Sequence, residues 1–91
     1  MGPSSKSQAL ESLFGTELKR LRFEAGISQE ELAFEAGFHR TYISQLERGV
    51  KSPTLKTLFS LAEALKVSPV AIVETLVGQS DGVRTKGEKA K

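Results

Sequence analysis

The chain has 91 residues, with 13 Lys and Arg against 11 Asp and Glu, one His and no Cys. That length allows one small domain with tails, and the missing thiols exclude a disulfide framework or a thiolate metal site as its source of stability. No apolar run approaches the ~18 residues of a membrane span, and MGPSSKSQ lacks the apolar block of a secretory signal, so cytoplasmic residence is expected.

Residues 1–8, rich in Ser with Gly and Pro, are expected to form a disordered lead-in. From Ala9 to Ala25 the residues Leu10, Leu13, Phe14, Leu18, Leu21 and Ala25 recur at the steps of an amphipathic helix. Gly15 inside it costs about 1 kcal/mol relative to Ala, which points to close packing there. Gly26 stands where a left-handed cap would end the helix.

Ser28 and Glu31 spell a capping box, with Ile27 and Leu32 as the surrounding hydrophobic staple, so a short helix is predicted over 29–36. Gly37 stops it. Phe38 and Ile43 form a second staple around His39, a poor N-cap, ahead of a third helix over 39–47 that Gly49 closes. Pro53 marks a turn, and Thr54 caps a fourth helix carrying Leu55, Leu58, Phe59, Ala62 and Leu65. Ser68 caps the fifth, with Pro69 in its first turn and an end near Val77.

Residues 78–91 carry Arg84, Lys86, Lys89 and Lys91 against Asp81 and Glu88, and are expected to be a flexible basic tail. The Phe residues at 14, 23, 34, 38 and 59 fall at helical spacing and are expected in the core or at its edge. No hairpin signal appears. The predicted fold is all-α, a compact five-helix bundle over 9–77 between two loose ends.

The pI near 9.1 comes from the tails, but residues 39–56 hold Arg40, Arg48, Lys51 and Lys56 against Glu47 alone. This basic patch overlaps HRTYISQLERG (39–49), whose apolar Ile43 and Leu46 face one way while Thr41, Ser44, Gln45 and Arg48 face another. Two short helices joined by a Gly-containing turn, here Ala36-Gly37-Phe38, make a helix-turn-helix unit. In that geometry the second helix enters the DNA major groove and its N-terminal residues meet base edges.

From Leu18 to Leu76 the chain resembles the Cro/repressor-type, or XRE, helix-turn-helix family. The segments that carry the likeness are LKRLR, GISQEELAFEAG, RTYISQLERG, SPTLKTLFSLAEALKV and SPVAIVETL. RTYISQLERG is also similar to the controller proteins of restriction–modification genes. The resemblance implies a phage-repressor-like bundle that binds double-stranded DNA. It places Arg40, Thr41, Ser44 and Gln45 at base edges, and Ser28, Gln29, Tyr42, Arg48, Lys51, Thr54 and Lys56 at the sugar–phosphate backbone. It also implies a partly buried ion pair between Arg22 and Glu47. Two positions depart from the family pattern: His39 replaces the commoner Ser, Thr or Asp, and Val50 stands where relatives carry a basic residue.

One recognition helix reads only a few base pairs, so a homodimer on a palindromic operator is expected, as a transcriptional regulator located with the nucleoid when bound. Val70, Ile72, Val73, Leu76 and Val77 exceed what a terminal helix needs for its own core and are the expected dimer surface. The alternative is an antitoxin or adaptor that uses this fold to bind a protein partner. Catalysis is not expected: there is no Cys, a lone His39 without spaced metal-ligand partners, and no Gly-rich phosphate loop. No cofactor or metal is called for.

Overall fold

The computed structural model describes residues 2–79, with side chains from residue 10 onward. Five helices follow in order: α1 Gly2–Ala25, α2 Gln29–Ala36, α3 Arg40–Glu47, α4 Leu55–Leu65 and α5 Pro69–Gln79. Among the described residues none is long and apolar enough to cross a membrane.

Helix α1 begins at Gly2 rather than Ala9, so the expected lead-in is helical over 2–8. Pro3 is the only strong breaker there, and it sits in the first turn, where its missing N–H leaves no intrahelical bond unmade. At the other end α5 continues through Gly78 to Gln79. The remainder of the predicted tail, 80–91, lies outside the described residues.

Local signals set the boundaries of the helix-turn-helix. Ser28 Oγ accepts the Glu31 backbone N–H at 3.0 Å while Glu31 Oε1 accepts that of Ser28 at 2.8 Å, closing the capping box. The Gly37 and Phe38 N–H groups both close onto the Ala33 carbonyl, at 2.9 and 2.8 Å. This requires the left-handed φ of 82° that Gly37 adopts at little cost. His39 starts α3 without a side-chain cap hydrogen bond, as its side-chain chemistry predicts.

The core is built from Phe14 and Leu18 of α1, Leu32 and Ala33 of α2, Ile43 and Leu46 of α3, Leu61, Ala62 and Leu65 of α4, and Ile72 of α5. Helix α1 packs on α3, α4 and α5, while α2 packs on α3 and α4. Gly15 is where α1 meets the end of α3: a Cβ added there would lie 2.5 Å from the carbonyl oxygens of both Leu46 and Glu47.

Three of the five Phe residues correct the sequence expectation. Phe14 is buried and Phe38 packs half-buried against the core, but Phe23, Phe34 and Phe59 are 63%, 84% and 55% exposed. The reason is helical phase. The inward stripe of α1 runs Phe14, Leu18 and then Arg22, which takes the inner place and leaves Phe23 one step outside. Phe34 follows the buried Leu32–Ala33 pair towards solvent, and Phe59 lies on the far side of α4 from Leu61.

Candidate nucleic-acid interface

Helix α3 is held by α1 and α2 before it presents anything outward. Ile43 and Leu46 are fully buried, and Glu47 turns its carboxylate inward to a side-chain exposure of 3%. There it accepts Arg22 Nε at 2.6 Å on Oε2 and Arg22 Nη2 at 3.1 Å on Oε1. Gln29 Nε2 donates to the same Oε1 at 2.9 Å, and Arg22 Nη1 donates to the Ile27 carbonyl at 3.1 Å. One carboxylate thus ties α1, the entry to α2 and the end of α3 together. A planar guanidinium suits the task because its fork matches both carboxylate oxygens.

With Glu47 neutralised inside, the basic residues of this region dominate its surface. Arg40, Arg48, Lys51 and Lys56 are all exposed. Arg40, Thr41 and Ser44 line one shallow depression on α3, and Gln45 is half-buried one position further along. The Arg48 Nε lies 3.4 Å from Ser44 Oγ, a long and weak contact. The structure therefore brings three of the four expected base-reading residues, Arg40, Thr41 and Ser44, into one open depression, with Gln45 outside its lining.

The expected backbone-contacting residues divide by how far they are already occupied. Lys51 and Lys56 are exposed cations. The Ser28 hydroxyl accepts in the capping box and keeps its proton for another partner. The Gln29 amide gives one N–H to Glu47 and keeps the other. Thr54 caps α4, accepting the Thr57 backbone N–H and donating to Thr57 Oγ1, both at 3.0 Å. Tyr42 is half-buried, its ring edge-on to Phe38 at 5.1 Å and its hydroxyl 3.1 Å from Thr57 Oγ1.

Of the expected dimer surface, Val70 and Val73 are 62% and 42% exposed, and Leu76 and Val77 are half-buried. Ile72 is a correction. At 3% exposure it fills its own protomer's core, because it lies on the face of α5 turned towards the bundle, and it has almost no surface to offer a second copy. Two features went unread in the sequence. Leu55, named only as one of the apolar residues of α4, lies 72% exposed, with Phe59 also outward, and Thr57 is buried at 5% as the hub of the Thr54–Tyr42 contacts. A Thr three residues after a Thr N-cap was the available signal for the second.

Residues 18–72 match the model of the helix-turn-helix family. The chain is 47% identical over 64 residues to an uncharacterized HTH-type transcriptional regulator, y4dJ, of Sinorhizobium fredii, spanning 70% of this chain and 83% of that protein. It is 38% identical over 71 residues to the control protein C.BamHI of Bacillus amyloliquefaciens, spanning 76% of this chain and 88% of the relative. It also superposes on the restriction-modification controller protein C.Esp1396I, a tetramer in complex with its natural 35 base-pair operator. That match has a TM-score of 0.70 and 37% identity over 77% of this chain and 92% of the other.

Proposed function

The chain belongs to the helix-turn-helix family, and on that premise we propose that it is a sequence-specific DNA-binding transcriptional regulator acting as a homodimer on a palindromic operator. The observation that carries this reading is the division of labour on α3. Ile43, Leu46 and Glu47 lock it to the bundle, while Arg40, Thr41 and Ser44 line an open depression and the half-buried Gln45 follows Ser44.

In this reading Arg40 meets guanine O6 and N7 with two donors, an arrangement that discriminates between bases by about 1–3 kcal/mol. Thr41 contacts a thymine methyl or donates a hydrogen bond, and Gln45 offers donor and acceptor to adenine. Lys51, Lys56 and Arg48 neutralise phosphates, and Ser28 and Gln29 approach a phosphate at the start of α2, where free N–H groups and the helix dipole favour an anion. Val70, Val73, Leu76 and Val77 supply the apolar face by which two copies pair. The pairing sets the two recognition helices about 34 Å apart, one turn of DNA. A regulator of this kind acts in the compartment that holds the DNA, which keeps the cytoplasmic assignment within the proposal.

The likeness to C.BamHI and C.Esp1396I supports a controller role in particular. Selection of bound sequences from a randomised duplex pool tests the function. The expected product is an inverted repeat, bound with an affinity that falls by about 0.9 log unit per neutralised phosphate for each log unit of salt. Recovery of no common sequence, with negligible binding at low salt, overturns it.

A further inference from the structure

The Thr54, Thr57 and Tyr42 hydroxyls form a chain whose direction follows from counting protons. Each hydroxyl has one proton to give and can accept from others. Thr54 Oγ1 gives its proton to Thr57 Oγ1 at 3.0 Å. Thr57 is 5% exposed, and among the described residues the remaining partner within reach of its hydroxyl is Tyr42 Oη at 3.1 Å. Were Tyr42 to donate, Thr57 would accept twice and hold its own proton buried without an acceptor, the arrangement buried polar groups avoid. The order with every buried proton placed is therefore Thr54 to Thr57 to Tyr42.

Two consequences follow. The Thr54 hydroxyl proton is committed inward, so the Thr54 side chain has no donor left for a phosphate. The Tyr42 hydroxyl, by contrast, accepts from inside and keeps its own proton for an outside partner. Its ring is already fixed by the edge-on contact with Phe38, with planes at 67°, so rotation of the O–H is what remains to be set. In sequence the pair is flanked by the exposed cations Arg40, two residues before Tyr42, and Lys56, next to Thr57, and an anion drawn to such charges is the acceptor a free hydroxyl proton suits.

We propose that Thr57 is a positioning residue for DNA binding, which holds the Tyr42 hydroxyl as an acceptor within the fold and so aims its proton at a backbone phosphate oxygen. This rests on the DNA-binding reading above. Thr57 itself touches no DNA in this arrangement.

The experiment compares wild type, Tyr42→Phe, Thr57→Val, Thr57→Ser and the Tyr42→Phe/Thr57→Val double variant. The probes are a random-sequence duplex and the sites selected from a randomised pool, with a thermal melt of each protein. Tyr42→Phe should weaken both DNAs alike, by about tenfold, the scale of one charge-assisted hydrogen bond. Thr57→Val should lose several-fold on both, Thr57→Ser should bind as wild type, and the double variant should bind no worse than Tyr42→Phe alone. Because the cycle reads coupling, it remains decisive even if Thr57→Val lowers the melting temperature. Additive losses, or a wild-type affinity for either Tyr42→Phe or Thr57→Val, overturn the proposal while leaving the DNA reading intact. Failure of the wild type to bind either DNA overturns the reading itself, and the proposal with it.

Discussion

Arg22 in α1 grips Glu47 at the last position of α3 through two hydrogen bonds, of 2.6 and 3.1 Å, with both side chains more than nine-tenths buried. The pair lies beneath the strip that faces outward, so it sets the height and tilt at which α3 leaves the bundle. Such a pair adds little over well-packed apolar residues, but losing one partner strands the other's charge. Its use here is geometric. It fixes one helix relative to another, and through Gln29 it also holds the residue that opens α2.

Glu47→Ala should therefore behave as a folding defect, lowering stability by about 3–5 kcal/mol in urea denaturation. Arg22 would be left buried at 6% exposure with only the Ile27 carbonyl to satisfy it. A loss of DNA binding with unchanged stability would instead make Glu47 part of the contact surface.

Gly15→Ala should destabilise by about 1–3 kcal/mol or more, although Ala is the better helix former. The added Cβ meets two backbone carbonyls at 2.5 Å, and backbone cannot rotate away as a side chain would. Gly78→Ala is the control, since nothing lies within 4 Å of its Cβ, and it should be neutral or slightly stabilising.

Much of this architecture was legible because it is written in short-range chemistry. The capping box of Ser28 and Glu31 and the left-handed Gly37 depend on residues within one turn, and both appear where the sequence places them. Periodicity was less informative where one helix has apolar residues on two sides. Phe59 and Leu55 satisfy an apolar pattern on α4, yet the packed face is that of Thr57, Leu61 and Leu65. Which face wins depends on where α1, α2 and α5 sit, and no local window contains that. The Thr54–Thr57–Tyr42 contacts were hidden for a related reason, because they join α4 to a residue of α3 fifteen positions earlier. Roles of individual side chains at DNA rest on residue chemistry and family likeness together.

Lys66 illustrates the same limit in miniature. It ends α4 with a φ of 59°, the one non-glycine residue with positive φ among those described. An L side chain is disfavoured there by roughly 1–2 kcal/mol, partly offset by the greater freedom glycine loses on folding. Lys66→Gly should raise stability by up to about 1 kcal/mol, read as a higher urea midpoint with unchanged slope. A lower midpoint would mean that the Lys66 side chain contributes more than its backbone costs.

The two faces of α5 make opposite predictions. Val73→Asp should leave the protomer folded and raise the dimer dissociation constant tenfold or more, a change of about 1.4 kcal/mol or above, in sedimentation equilibrium. Ile72→Ala should lower stability by about 2–5 kcal/mol, because it opens a cavity in the protomer's own core. An intact dimer in Val73→Asp would move the interface away from α5.

If α3 reads base edges, Arg40→Ala should separate specific from non-specific binding. Its affinity is measured against selected sites and against random duplex at the same salt. The expected result is a loss on the selected site of about 1–3 kcal/mol, roughly five- to 150-fold, and a much smaller loss on random DNA. Equal losses on both would contradict it, making Arg40 a phosphate contact and leaving the specificity to be carried elsewhere.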